Sequence, residues 1–211
     1  DGASVGILDV DIDCPNVVRA MKISEPPTVR EDRRMIPSER FGVKVMSMGF
    51  FQQNEEEAII WRGPMVHKLI EQFLGDVTWG ELDYLLVDMP PGTGDAQLSL
   101  VQIVDINGVV MVTTPQEVAT GDVRRGIKMF ERVNTAVLGI VENMAPFKCP
   151  YCDEEIEVFG SGGGERLAEE LETFFSSSAL GLAAPVNTLL PDSYYWHGNE
   201  PTIHVPLLFW E

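Results

Sequence analysis

Short apolar runs recur along the chain, each closed by an acid or a turn and followed by a stretch with helical spacing. Ser4 to Asp9, Val43 to Gly49, Tyr84 to Asp88, Gly108 to Thr114 and Ala136 to Val141 read as strands. Leu85-Leu86-Val87 is apolar without alternation, which predicts a strand buried on both faces, as in a parallel sheet covered by helices. Between the runs, Asn16 to Met21 is a short helix candidate. A longer helix opens at Trp61-Arg62-Gly63-Pro64, with Pro near its start and Met65, Leu69, Ile70, Phe73 and Leu74 on one face. Further helices are predicted at 96–104, at 118–133 with Val123, Ile127 and Phe130 apolar, and at 165–174. Glu25 to Arg40, rich in Pro and charge, reads as a surface excursion or small hairpin, and Gln52 to Glu57 as a polar loop. Strand and helix alternate, so the expected fold is α/β, a doubly wound, mostly parallel sheet with helices on both faces. With neither repeat nor linker, residues 1–211 are expected to form one domain. The tail is less regular. Ser176 to Val186 suggests a turn and a strand, and Tyr194 to His197 and Pro206 to Trp210 are aromatic enough to pack on the body or on another chain.

Composition narrows the function classes. Hydrophobic content of 45% with 23% charged residues fits a soluble globular chain. A formal net charge of −18 argues against a non-specific nucleic-acid binder, which needs a basic face to displace counterions. No apolar run is long enough to span a membrane, and no basic-start signal peptide is present. Three cysteines argue against a disulfide scaffold and point to the cytoplasm.

The candidate chemistry lies where the strands end. Asp88 closes an apolar run and opens Met89-Pro90-Pro91-Gly92-Thr93-Gly94-Asp95, which sets a carboxylate and a flexible turn at the strand's C-terminal edge. Ligands bind at that edge of open α/β sheets, a carboxylate there can hold magnesium, and glycines let the backbone approach a phosphate. Asp9 and Asp11 form a second such edge. Together the three acids suit a magnesium-holding, water-activating edge of a nucleotide hydrolase, although each alone fits an acidic loop end. Cys149-Pro150-Tyr151-Cys152 offers two thiolates for zinc, for an iron–sulfur cluster or for a redox dithiol. A closed four-thiolate site needs two more ligands, which a second copy related by two-fold symmetry would supply. Cys14 is expected to be a small buried side chain and not a ligand. Asn143, after a strand, fits either a base-edge contact or a turn cap. His67, His197 and His204 show no metal spacing. The glycines of 160–164 lack a following Lys-Ser/Thr, fail the P-loop pattern and suggest a mobile hinge.

Taken in order, these segments resemble the Mrp/ApbC family of iron–sulfur cluster carriers. These are ATP-binding proteins of the deviant P-loop class that includes MinD and the nitrogenase iron protein. The resemblance rests on Ile7-Leu8-Asp9-Val10-Asp11, Trp61-Arg62-Gly63-Pro64-Met65, Leu85 to Asp95 (LLVDMPPGTGD), Val112 to Ala119, Gly139 to Met144, the CxxC and Phe159 to Glu165. It covers about residues 4 to 172. It implies that Asp11 orients the attacking water, that Asp88 holds magnesium through water and that Gly92, Thr93, Gly94 and Asp95 form a switch loop. It further implies that Asp9 belongs to the nucleotide edge, that Asn143 contacts adenine and that Cys149 and Cys152 bridge a [4Fe–4S] cluster between two subunits.

The function it implies is an ATP-hydrolysing homodimer, joined through the 145–160 loop, that delivers the cluster to apo iron–sulfur proteins, with no nucleic-acid or membrane partner. Its cofactors would be ATP or ADP, magnesium and the cluster, with zinc an alternative at the same thiols. Three departures stand out. Nothing matches the family's first strand and GKGGVGKS-type loop. That strand is central, so residues before Asp1 are expected in the parent protein, and without them the flanks of the sheet should be exposed. Cys14 replaces a glycine, and the tail after about Phe174 keeps little of the pattern. The competing readings are a dimeric zinc scaffold with a degenerate nucleotide site, and a MinD/ParA-like positioning ATPase.

Overall fold

The computed structural model describes residues 2–51, 62–175 and 203–208. The polar stretch 52–57, Trp61, the expected turn and strand at 176–186, and the aromatics at 194–197 lie outside them. A seven-stranded sheet organises the rest. Its strands are β1 (Val5–Asp9), β4 (Ser38–Arg40), β5 (Val43–Ser47), β6 (Tyr84–Asp88), β7 (Gly108–Thr113), β8 (Val137–Glu142) and β11 (Ile203–Leu208), in the order β4-β5-β1-β6-β11-β7-β8. β5, β1 and β6 pair in parallel, as do β7 and β8. The helices between them are α1 (Val17–Ala20), α2 (Gly63–Gly75), α3 (Asp95–Ile103), α4 (Glu117–Arg132) and α5 (Gly163–Phe175). The alternation of strand and helix therefore yields the mixed α/β architecture that the spacing predicts.

Two strands, β4 and β11, were not legible in the pattern, whereas the hairpin in the excursion was expected. The Pro- and charge-rich excursion forms a small hairpin, β2 (Thr28–Val29) with β3 (Met35–Ile36), and then supplies β4 as an antiparallel edge strand beside β5. The 203–208 segment enters the middle of the sheet as β11, antiparallel to both β6 and β7. The exposed flanks expected for want of a central strand are therefore not observed: β11 pairs with both facing edges.

Burial alternates along the central strands. Leu8, Leu85, Val87, Val109 and Met111 are fully buried, whereas Ile7, Leu86, Val110 and Val112 are half-buried. The apolar run of β6 is thus sealed on one face and only partly covered on the other, not sealed on both as expected. Leu8, Leu85 and Val87 pack with Ile70 and Phe73 of α2 and Leu100 of α3. Val109 and Met111 pack with Val123, Ile127 and Phe130 of α4 and Leu167 of α5. Such close packing leaves no room for extra atoms. A Cβ on Gly6 would lie 2.8 Å from Leu82 Cδ1, so glycine is what lets Trp79 and Leu82 close over β1.

Candidate functional site

The parallel register sets three side chains in a row at one sheet edge. Asp9 is level with Ser47 on one side and with Asp88 on the other. Asp9 is fully buried. Its Oδ2 accepts from Ser47 Oγ at 2.8 Å and from the Val17 N–H at 3.4 Å, and its Oδ1 accepts from the Asp11 N–H at 3.1 Å. These bonds fold residues 10–17 back over the end of β1. Asp11 is also buried, and its Oδ1 accepts from the Cys14 N–H at 3.1 Å. Burial pushes the Asp9 carboxyl up to about 7, against the pull of Ser47 and the two backbone donors. Burial likewise raises Asp11, with Asp13 adding repulsion. Two buried acids thus lie beside Asp88 at this edge, with both Asp9 oxygens spent on Ser47 and the backbone, and the three do not converge as a metal-holding group. Asp88 and Asp11 are the carboxylates of this edge that could neighbour a cation held mainly by water and a ligand. Cys14 sits exposed in the bend of residues 12–14, not buried as its sequence suggests.

The glycine-rich loop after β6 is held from below. Gln97, in the first turns of α3, is fully buried and donates from Nε2 to the carbonyls of Pro90 at 2.6 Å and Gly92 at 3.1 Å. Gly92 has φ +92°, a conformation that glycine adopts at little cost. Thr93, Gly94 and Asp95 are exposed. The Asp95 carboxylate lies against the start of α2, where a Cβ on Gly63 would be 2.7 Å from its Oδ2.

At the other half of the sheet, β7 and β8 bring Thr113 level with Glu142. The Asn143 N–H donates to the Thr113 carbonyl at 2.7 Å, and its Oδ1 accepts from the Met144 N–H at 2.9 Å. Asn143 therefore caps its own turn, with Met144 at φ +56°. Glu142 reaches into the glycine run: its Oε1 accepts from the Gly162 N–H at 3.1 Å and its Oε2 from the Gly164 N–H. That carboxylate fills the anion-attracting N-terminus of α5. A Cβ on Gly163 would lie 2.5 Å from the Pro115 carbonyl oxygen. The glycine run is thus clamped between the ends of β7 and β8, where a hinge was expected.

The clamp anchors one root of a small hairpin, β9 (Phe147–Lys148) with β10 (Glu155–Ile156), whose tip carries the two cysteines. The Cys149 N–H donates to the Glu154 carbonyl at 2.8 Å and the Asp153 N–H to the Cys149 carbonyl at 3.0 Å. The Tyr151 and Cys152 N–H groups, and then the Cys152 thiol, hold the Cys149 thiol below its ordinary range. The hairpin thus presents two thiols on one preformed turn. The Cys152 thiol lies 4.0 Å from Glu154 Oε2, but among the described residues no group of three or more His, Cys, Asp or Glu side chains could hold a metal ion. The hairpin also exposes Phe147, Tyr151, Ile156, Val158 and Phe159, with Tyr151 96% exposed.

A family model described as ParA, NUBPL iron-transfer P-loop NTPase, matches residues 1–186. The chain belongs to this family. An iron–sulfur cluster carrier protein of Methanocaldococcus jannaschii is 46% identical over 176 residues, covering 82% of this chain and 61% of that protein. The iron–sulfur cluster transfer protein NUBPL of Mus musculus is 45% identical over 169 residues, covering 80% of this chain and 53% of that protein. A solved nucleotide-binding protein from Archaeoglobus fulgidus, in complex with ADP, matches with a TM-score of 0.67 and 42% identity, covering 81% of this chain and 66% of that one. The chain thus spans somewhat more than half the length of these relatives.

Within this P-loop NTPase architecture the structure gathers Asp9, Asp11 and Asp88 at one edge and places the 90–95 loop beside them. It sets Asn143 at the end of β8 and Cys149 and Cys152 together on a separate hairpin. Three residues of the site are missed by sequence reasoning. Ser47 shows only as the polar end of an alternating strand, Gln97 as one polar residue in a helix, and Glu142 as one acid among many.

Proposed function

We propose that this chain is the nucleotide-binding domain of an ATP-dependent iron–sulfur cluster carrier. In this reading two copies join through the Cys149–Cys152 hairpin, hold a [4Fe–4S] cluster between four thiolates and deliver it to apo iron–sulfur proteins. The observation that carries it is the knuckle at the hairpin tip, which sets Cys149 and Cys152 on one turn outside any three-ligand group among the described residues, on a stretch with exposed apolar side chains. A second copy related by two-fold symmetry would complete such a half site, and the exposed apolar side chains would pack in the same contact. The relatives' names supply the cargo.

The nucleotide would lie along the C-terminal edge of the sheet. Asp88 would hold magnesium, whose charge offsets that of the phosphates, and Asp11 would orient the attacking water. Gly92, Thr93, Gly94 and Asp95 would close on the phosphates, Asn143 would meet the adenine, and Asp9 would brace the Asp11 loop. Hydrolysis would need a phosphate cradle in addition to these residues. The ends of β7 and β8 touch the glycine run that anchors the cysteine hairpin, and this contact would link nucleotide to cluster. No described helix is long and apolar enough to cross a membrane. The thiols suit a reducing, cytoplasmic setting.

Anaerobic reconstitution with iron and sulfide tests the reading. About two irons and two sulfides per chain, in a dimer, and lost in Cys149→Ala/Cys152→Ala, is the expected result. Zinc without sulfide at the same thiols would replace the carrier with a structural-metal scaffold.

A further inference from the structure

Gln97 is a fully buried polar side chain whose work is only half accounted for by the site. Its Nε2 spends both hydrogens on the glycine loop, one on the Pro90 carbonyl and one on the Gly92 carbonyl. The reverse amide orientation would set an oxygen against two carbonyl oxygens, so the donor face is fixed. Its Oε1 is equally buried and meets no donor among the described residues. A buried acceptor left unpaired costs about as much as a lost hydrogen bond, so native interiors hold few. The backbone beside that oxygen is Gly94, where a Cβ would lie 3.6 Å from Oε1. Gly94 is exposed and extended, two residues after Gly92 in the left-handed region. The loop is therefore tied to the core through one end of the amide, with a vacant acceptor at the other, beside a glycine whose peptide can turn at little cost.

We propose that Gln97 is a two-position latch for the 90–94 loop. In the arrangement described it holds the loop by two carbonyls. When the Gly94 region turns, a loop N–H reaches Oε1 and the loop is held in a second arrangement. Gln97 is a positioning residue: it touches the loop and not the nucleotide, and it sets which loop shape faces the magnesium edge. The role in turnover rests on the ATP-binding reading above, whereas the latch itself does not.

Hydrogen exchange of the full chain separates the two. In Gln97→Met, of similar length and without polar atoms, both bonds to the loop are lost, and loop amides 92–95 should exchange at least about tenfold faster, the equivalent of one buried hydrogen bond, while β1, β6 and β7 keep their protection. Gln97→Glu adds a control that a packing role would not move. Ionised, it has no donor for the two carbonyls; protonated, it regains one. Loop protection relative to the native chain at the same pH should therefore recover as pH falls from 8 to 5. Unchanged loop exchange in Gln97→Met, or equal acceleration across the whole sheet, would overturn the latch, as would a pH-independent Gln97→Glu. With magnesium and a non-hydrolysable ATP analogue or ADP, the native loop should show two distinct protection levels, and Gln97→Met one. Absence of nucleotide protection anywhere in the native chain would count against the ATP-binding reading, and the nucleotide-free comparison would still decide the latch. Where turnover is measurable, kcat should fall about tenfold with KM for ATP within about twofold, since an interaction that sets loop shape acts on the reacting arrangement more than on ground-state binding.

Discussion

Ser47 Oγ donates to Asp9 Oδ2 across the β5–β1 pair at 2.8 Å, and both residues are fully buried. The same carboxylate takes the N–H groups of Asp11 and Val17. One side chain thus fastens the loop carrying Asp11 to the strand end. Asp9 works from inside the wall of the candidate site, whereas Asp11 forms its lining.

A buried acid with three donors should leave a signature in stability. The Asp9 carboxyl is raised from 3.8 to about 7, so between those pH values the folded chain binds a proton that the unfolded chain has released. Stability from this group is therefore fully present at low pH and is lost as pH rises towards 7 and beyond. Asn at this position keeps an acceptor for the Asp11 N–H and can donate from Nδ2 to the Ser47 hydroxyl oxygen, losing only the long bond from Val17. The melting temperature of Asp9→Asn minus that of the native chain, in EDTA, should grow between pH 5 and pH 8. A flat difference would mean that Asp9 is not held neutral.

Glycines give a second set of expectations, with opposite signs. Gly163→Ala drives a Cβ to 2.5 Å from the backbone oxygen of Pro115, which cannot step aside, and should cost about 2–3 kcal/mol in denaturant unfolding. Gly121 lies within α4 with nothing within 4 Å of an added Cβ. Gly121→Ala should therefore stabilise by up to about 1 kcal/mol. A loose hinge at 160–164 would make Gly163→Ala nearly neutral instead.

How much of this was legible in the sequence differs element by element. Asp88 and Asp9 were visible because an apolar run ending in acid marks both the strand and its C-terminal edge. Cys149 and Cys152 were visible because spacing alone places two thiols on one turn. Ser47, Gln97 and Glu142 were not, because their roles are set by tertiary neighbours: a register partner, a loop carbonyl pair and the start of a helix twenty residues on. The half-covered face of β6 was missed for a related reason. Leu85-Leu86-Val87 is uniformly apolar, and only the packing of α2 and α3 distinguishes Leu85 from Leu86. β11 was missed because Pro206, which lacks an N–H, argues against a central strand.

The knuckle makes a chemical prediction that needs no metal. Backbone N–H groups of Tyr151 and Cys152, then the Cys152 thiol, favour the Cys149 thiolate. In the metal-free, reduced chain, iodoacetamide should label Cys149 at a lower pH than it labels a thiol in an unstructured peptide. Unfolding in urea should abolish the difference, since the donors are held in place only by the hairpin. Labelling of Cys149 that follows the peptide thiol at every pH would show that the knuckle is not formed before metal arrives.

The placement of β11 yields the last prediction. β6 and β7 run in the same direction, and between them lies a slot that 203–208 fills antiparallel to both. An unfilled slot would leave two runs of backbone N–H and C=O groups unpaired in the middle of the sheet, beside Leu85, Val109 and Met111, which are fully buried. Unpaired edges of this kind exchange rapidly and recruit other chains. Ending the chain at Thr202 should therefore speed amide exchange in β7, broaden the unfolding transition and promote association. Pro206→Val should do the reverse, because it restores a ladder donor that proline cannot supply and adds a residue that favours strands. If the truncated chain keeps β7 protected and monomeric, 203–208 does not hold the slot in solution, and some other strand must close the sheet.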